Sequence, residues 1–287
     1  MAGILYVTGT PIGNLSDLSP RAAQVLGEVD FIAAEDTRVT LKLLNHLGIK
    51  KPMVSYYEHN KRERGEIICA RIEQGESCAI VTDAGMPCIS DPGEDLVKLC
   101  AERSVKTVVV PGPSAVVSAL AVSGLSTGRF TFEGFLSVNK KSRAEHLQSL
   151  LHEKRTMIFY EAPHHLKSTL RELLSAAGDR KMTICRELTK KFEEAVPTTL
   201  QGAVDYYEEN TPRGEYVLVI AGADPEENRR RKEQDWQTLS LEEHMRIYED
   251  RGCDRKEAMK KVAADRGVSK RDIYNALLPK EEPDYPV

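Results

Sequence analysis

Thr82-Asp83-Ala84-Gly85-Met86-Pro87-Cys88-Ile89-Ser90-Asp91-Pro92-Gly93 follows the apolar run Ala79–Val81 and precedes a helical pattern that includes Leu96, Val97, Leu99 and Cys100. Strand-to-helix connections are commonly about 2–6 residues long. This one has twelve, with two Pro, two Gly and two Asp. Such a backbone bends tightly and approaches a ligand closely. We read it as a binding loop at the carboxyl end of a parallel strand, where open α/β sheets hold their ligands. Asp91 before Pro92 also fits the cap of the next helix.

Further apolar runs lie to either side: Ile4–Val7, Val29–Ala34, Met53–Tyr56 and Thr107–Val110. Helical spacing separates them, with Ile67, Ile68, Arg71 and Ile72 on one face and its edge. Strands alternating with helices predict βαβ units around a parallel sheet. Between residues 130 and 222 the strand candidates are Thr131–Phe135, Thr156–Tyr160, Met182–Arg186 and Glu215–Ala221. The helix candidates there are Ser142–His152, His164–Ala176 and Gly202–Glu209, and the expected sheet is more mixed. The polar stretch from Asp224 to Glu233 contains Pro225 and reads as a linker, and Leu241–Leu278 reads as a helical tail. The expected organisation is therefore an α/β domain over 1–125, a second over 126–224, a linker over 225–240 and a tail over 241–287.

The chain has 287 residues, 29% of them charged and 41% hydrophobic, with 40 basic against 44 acidic side chains. That composition is globular and excludes a broadly basic nucleic-acid binder, though not a local basic patch. The longest largely apolar run, near Ser114–Ser123, is too short for a membrane span. No leader is read before Ile4. Cys69, Cys78, Cys88, Cys100, Cys185 and Cys253 form no Cys-x-x-Cys pair and have no metal-site spacing. They are expected to be reduced thiols, mostly buried, in a cytoplasmic protein without a metal.

Three more strand-end loops attract attention. Thr8-Gly9-Thr10-Pro11-Ile12-Gly13-Asn14 is rich in turn residues but is neither a dinucleotide fingerprint nor a phosphate loop. Ala34-Glu35-Asp36-Thr37-Arg38 puts charge directly at a strand end, and capping by Asp36 or Thr37 leaves Glu35 and Arg38 unexplained. Pro111-Gly112-Pro113-Ser114-Ala115 opens a helix whose start can meet an anion.

With Glu58-His59-Asn60, Glu133-Gly134-Phe135-Leu136, Phe159-Tyr160-Glu161-Ala162-Pro163-His164, Arg186-Glu187-Leu188-Thr189-Lys190 and Gly214-Glu215, these segments resemble the tetrapyrrole (corrin/porphyrin) methylase family. Within it they are most similar to the branch that methylates ribose 2′-hydroxyls of small-subunit ribosomal RNA. The resemblance implies two α/β domains with an S-adenosylmethionine (SAM) cleft between them, plus a small C-terminal helical segment. It also implies a homodimer and a cytidine acceptor in the decoding region of 16S rRNA, free or in the assembled small subunit. By the same resemblance Pro11, Asp83, Ala84, Gly85, Met86, Ile89, Ser90, Ser114, Ala115 and Tyr160 would hold SAM. Corrin methylases usually carry Gly-Asp-Pro where this chain has Gly85-Met86-Pro87, which argues against a corrin acceptor. Two positions depart from the RNA-methylase pattern: His165 stands for the usual Arg, and Tyr57 for a common His.

Methyl transfer from a sulfonium needs alignment and a proton acceptor. The catalytic candidates are Asp36, Arg38, His59, Glu187 and Lys190. Asp36 or His59 would take or relay the proton, and Arg38 and Lys190 would meet phosphate or developing negative charge. The alternatives are structural: Arg186, Glu187 and Lys190 as an ion-pair network, and His59 and Asn60 as a cap for the helix from Lys61.

Residues Lys256–Leu278 have helix-turn-helix character, with Ser269 placed to cap the second helix. Eight basic side chains face three acidic ones between Arg251 and Arg271. Arg255, Lys256, Lys260, Lys261, Lys270 and Arg271 are the RNA-contact candidates. The same tail admits a rival of another class, a ligand-sensing DNA-binding regulator. A tetrapyrrole methylase is the rival within the family.

Overall fold

The computed structural model describes residues 2–224, 239–250 and 252–277. Two compact units result, Met1–Gly222 and Ala223–Val287.

The first unit opens with β1 (Ile4–Thr8), α1 (Pro20–Glu28), β2 (Phe31–Ala34), α2 (Thr37–His46), β3 (Met53–Ser55), α3 (Lys61–Glu73), β4 (Cys78–Val81), α4 (Gly93–Glu102) and β5 (Lys106–Val110). The strands form one all-parallel sheet in the order β3-β2-β4-β1-β5. β2 and β4 are buried throughout because helices cover both faces. Successive side chains alternate between the layers: Phe31 and Ala33 pack with Ile68, Ile72 and Leu96, whereas Ile32 and Ala34 pack with Ala22, Leu26 and Leu44. α1 starts where Ser19 accepts from the Ala22 N–H ahead of Pro20 at the first helical position.

α5 (Ala115–Val122) follows, then β6 (Phe130–Gly134), α6 (Lys140–Ser149), β7 (Thr156–Glu161), α7 (Leu166–Ala177), β8 (Lys181–Arg186), β9 (Glu194–Thr199), α8 (Leu200–Glu209) and β10 (Tyr216–Ile220). The second sheet runs β6-β7-β10-β8-β9, and only the β6–β7 pair is parallel. The mixed sheet expected from sequence is present. β9 was not among the expected strands: it is mostly exposed and contains Pro197, which only an edge strand tolerates. α5 lies before residue 125 in the chain, yet Val116, Ala119 and Leu120 pack on Ile158, Cys185, Val217 and Val219 of the second sheet. The other face of that sheet buries Leu166, Leu170, Leu173, Leu200 and Tyr207 of α7 and α8.

In the second unit α9 (Leu241–Glu249), α10 (Arg255–Asp265) and α11 (Lys270–Ala276) close around Met245, Ala258, Val262, Ala263 and Ile273. Ser269 forms a capping box with Asp272, so the cap read from sequence is in place. His244 is fully buried. Its Nδ1 accepts from Arg266 Nε at 3.1 Å, and its Nε2 lies 3.2 Å from Asp265 Oδ2. Most of the expected linker and the last ten residues of the tail fall outside the described residues. Among the described residues no helix is long and apolar enough to cross a membrane. All six cysteines are free, four of them buried.

Backbone contacts bind together the loops leaving β1, β4 and β5. Thr10 and Gly85 exchange two backbone hydrogen bonds, 2.9 and 3.2 Å, and Gly9 N–H donates to Val110 O at 3.1 Å. A Cβ built on Gly9 would stand 2.7 Å from Gly112 Cα and 2.8 Å from Met86 Sδ. Gly9→Ala therefore forces two loops apart, with an expected cost of about 1–3 kcal/mol. Urea unfolding of the variant against the wild type measures it, and an unchanged midpoint contradicts the close contact.

Candidate functional site

The tied loops form the floor of a cleft between the two sheets. A cavity of about 670 Å³ is walled by the β4–α4 loop, the start of α5, the ends of β6 and β7, Cys185, Leu188 and the start of β10. Nine of the ten residues expected to hold SAM line it: Asp83, Ala84, Gly85, Met86, Ile89, Ser90, Ser114, Ala115 and Tyr160. The tenth, Pro11, lines an adjoining cavity of about 420 Å³ with Gly13, Thr40, Lys42 and Lys190. The two cavities share Ile12, Thr82, Asp83, Ala84 and Glu215.

Backbone strain gathers here. Cys88, Ser90, Glu187 and Thr189 have φ of 68, 59, 51 and 64°. Such conformations cost about 1–3 kcal/mol each and persist only where the surroundings hold them. Pro92, not Asp91, stands at the N-cap of α4, which has no side-chain cap bond; Asp91 instead accepts from Gly93 N–H at 2.7 Å one residue outside the cap. Burial holds the Tyr160 hydroxyl above the usual phenol range, against a smaller opposing effect of the Val116 N–H.

The catalytic candidates separate. Asp36 caps α2 through Arg38 N–H at 2.8 Å and forms a two-pronged pair with the Arg38 guanidinium, 2.6 Å at the shorter contact. Arg38 holds its carboxyl down at about 2. His59 is exposed beside Tyr57, with ring centroids 6.1 Å apart. Asn60 stands at the N-cap of α3, but its side chain bonds Tyr57 N–H and Ser55 O and makes no cap bond. Asp36, Arg38 and His59 line neither cavity. Two of them belong to a local helix start, and the third hangs off β3 at the far edge of the sheet.

Lys190 does reach the site, inside the ion-pair network that was the structural alternative for this segment. Its Nζ donates to Glu187 Oε1 at 3.0 Å and Glu215 Oε2 at 2.7 Å, while Glu187 Oε1 also accepts from Glu215 N–H at 3.0 Å. A Cβ on Gly13 would meet Lys190 Cγ at 2.5 Å, so this network presses directly on the first-sheet loop. Glu35 accepts from Thr82 Oγ1 at 2.7 Å, and buried Glu161 accepts from Ala162 N–H and Thr169 Oγ1. The residues missed by sequence reasoning are Cys185, Leu188, Tyr216 and Val217. They are ordinary apolar strand and loop residues, which topology alone brings to the wall. Among the described residues no group of three His, Cys, Asp or Glu is arranged to hold a metal ion.

Of the tail candidates, Arg255, Lys256, Lys260 and Arg271 are exposed and Lys270 half-buried. Lys261 is exposed but pairs with Glu257 at 3.2 Å.

Two sheets enclose a cleft over a glycine- and proline-rich floor, and comparison with known proteins gives that architecture its class. The profile of the family described as Tetrapyrrole (Corrin/Porphyrin) Methylases matches residues 4–204, and the chain belongs to that family. It is 46% identical over 277 residues to the ribosomal RNA small subunit methyltransferase I of Synechocystis sp., covering 96% of this chain and 98% of that one. To the protein of the same name from Bacillus subtilis it is 45% identical over 274 residues, 96% and 94% of the two chains. The Thermotoga maritima protein of that name is 46% identical over 220 residues, 77% of this chain but 99% of its own. Among solved structures, diphthine synthase aligns with a TM-score of 0.59 at 14% identity, over 76% of this chain and 90% of its own. Uroporphyrin-III C-methyltransferase from Thermus thermophilus complexed with S-adenyl homocysteine gives 0.55 at 17%, over 76% and 97%. These two carry the fold alone.

Glu187 supplies a pH test of the domain contact. The Glu215 N–H and then Lys190 hold its carboxyl below the ordinary 4.5. A depressed acid adds stability above its unfolded value and loses it as pH falls through the folded one. The stability gap between wild type and Glu187→Gln should be full at pH 7 and shrink below about pH 4.5 in urea titrations. A gap independent of pH would contradict the network.

Proposed function

We propose that the chain transfers a methyl group from SAM to the ribose 2′-hydroxyl of a cytidine in the decoding region of 16S rRNA, as a cytoplasmic homodimer. The observation that carries this reading is a pair of adjoining cavities over one shared wall, in a chain 46% identical along 96% of its length to a protein named for small-subunit rRNA methylation.

The larger cavity suits the donor. Its volume lies within the roughly 300–1,000 Å³ of small-molecule sites. Its wall combines apolar side chains (Ile12, Met86, Ile89, Val116 and Leu188) with loop backbone. Ser114 makes no side-chain cap bond on α5, and a helix start of that kind suits a carboxylate. Bound there, the donor supplies an electrophilic methyl carbon. The smaller cavity, with Lys42 and Lys190 on its wall, suits the acceptor nucleotide and its phosphate.

Two features favour RNA over a tetrapyrrole. The β8–β9 loop continues from Lys190 into Lys191 and Phe192. Phe192 is 65% exposed, with Lys191 Nζ 5.5 Å above its ring. An exposed ring beside cations is suited to stacking on an unpaired base. The second is the set of exposed basic side chains on α10 and α11, Arg255, Lys256, Lys260 and Arg271. For the homodimer, α5 is apolar on every side, as a buried helix is, yet Val117 and Val122 are more than half exposed. Val109 on the unpaired edge strand β5 is 56% exposed as well. A second copy would cover this apolar ground.

Incubation with radiolabelled SAM tests the activity. The acceptors are small subunits from a strain lacking this methylation, free 16S rRNA, a tetrapyrrole and duplex DNA. Label should enter an alkali-resistant rRNA dinucleotide, because a 2′-O-methyl blocks cleavage there. Label in the tetrapyrrole alone, or in nothing, overturns the reading. Lys256→Glu with Arg271→Glu should weaken rRNA binding across sequences and reduce the salt slope by about 1 for each phosphate no longer neutralised. Light scattering should give twice the chain mass for the wild type and the single mass for Val117→Asp.

A further inference from the structure

Five residues form the wall between the two cavities, and two of them are carboxylates, Asp83 and Glu215. A methyl acceptor hydroxyl in the smaller cavity has to meet the donor's methyl carbon across this wall. Any group that removes its proton has to stand here too. Glu215 is neutralised by Lys190 at 2.7 Å, and its side chain is 80% exposed. Asp83 has no ion-pair partner among the described residues. Its Oδ1 accepts from the Asp36 N–H at 3.1 Å, which anchors that oxygen and leaves Oδ2 without a hydrogen bond among the described residues.

The other acids at the cleft are engaged or displaced. Glu35 is tied to Thr82 and lines only the donor cavity, Asp91 lines only the donor cavity and accepts from Gly93 N–H, Glu161 accepts on both oxygens, and Asp36 is locked to Arg38 outside both walls. Resting on the methyl-transfer reading above, we propose that Asp83 is the catalytic base and that Asp36 is its positioning residue, through main chain rather than carboxylate. The acceptor O–H bond breaks as its proton passes to Asp83, and an O–C bond forms to the methyl carbon. The carbon–sulfur bond breaks with its electron pair kept by sulfur, leaving a neutral thioether. The proton then leaves Asp83 for water.

The surroundings suit the task. Asp83 is itself exposed, yet partial desolvation raises its carboxyl above the ordinary value; the Asp36 N–H opposes this, the Asp36 charge adds to it and Arg38 opposes it least. Lys42, Lys190 and Glu215 face the same cavity from α2, the β8–β9 loop and the start of β10. A more basic carboxylate is a better acceptor for a weakly acidic hydroxyl.

The test compares wild type, Asp83→Asn and Asp83→Glu by single-turnover transfer to rRNA, with SAM affinity by calorimetry. Asp83→Asn keeps the acceptor for Asp36 N–H, so SAM binding should persist while the transfer rate falls about 10²–10⁴-fold. The wild-type rate should rise with one ionisation in the acid range, absent from Asp83→Asn, and Asp83→Glu should recover part of the rate. Full transfer by Asp83→Asn overturns the assignment, as does a loss of rate that only follows a loss of SAM binding. Should Asp83→Asn fail to fold, the wild-type profile decides: a rate with no acid-side ionisation overturns the base. Transfer by wild type and variant alike removes the base and leaves the methyl-transfer reading standing. No transfer by the wild type to any acceptor removes both.

Discussion

Gly9 and Gly112 lie backbone against backbone, with no room for a side-chain carbon on Gly9, and the architecture of the cleft follows from that contact. It brings the exit of β1 against the exit of β5, while the Thr10–Gly85 bridge draws in the exit of β4 between them. Three loops that would otherwise stand free above a parallel sheet become one rigid surface. Met86 seals the junction, its sulfur accepting from Gly112 N–H at 3.2 Å. Only on such a surface can Asp83 keep a fixed position facing both cavities.

Four of the five non-glycine residues with positive φ among the described residues sit in the β4–α4 and β8–β9 loops, one on each side of the cleft. Strain on that scale has to be held by neighbours. On the β8–β9 side the neighbours are Glu187, Lys190 and Glu215, and Gly13 lets that network reach the first-sheet loop. Charge at the cleft is therefore sorted by surroundings. Asp36 is depressed by a guanidinium and Glu187 by an amide and an ammonium, whereas Asp83, though exposed, is raised by partial desolvation. Residues with the same functional group take different parts: a helix cap, a domain clasp, and the proposed proton acceptor.

Much of this was legible in the sequence. The alternation of apolar runs with helical spacing announced the parallel sheet, and the twelve-residue loop from Thr82 to Gly93 announced the cleft, because such density of Gly and Pro has no use in a plain connector. What the sequence could not convey was direction. Asp36 and Arg38 are charged residues at a strand end, as a site requires, yet they bind each other, because residues two apart at a helix start lie within reach. His59 sits in a similar loop, but one that leaves β3 at the sheet's far edge. β9 escaped because an exposed edge strand has neither alternation nor apolar content to mark it. Cys185 and Val217 carry no local signal at all, since core residues reach a cavity wall only when a sheet ends beside it.

Helix α5 is encoded directly after the last strand of the first sheet and cemented into the second. A strap anchored in both lobes leaves little freedom for jaw-like breathing between them. The spacing of the crevice walls is therefore set by a helix that belongs to one lobe by sequence and to the other by packing.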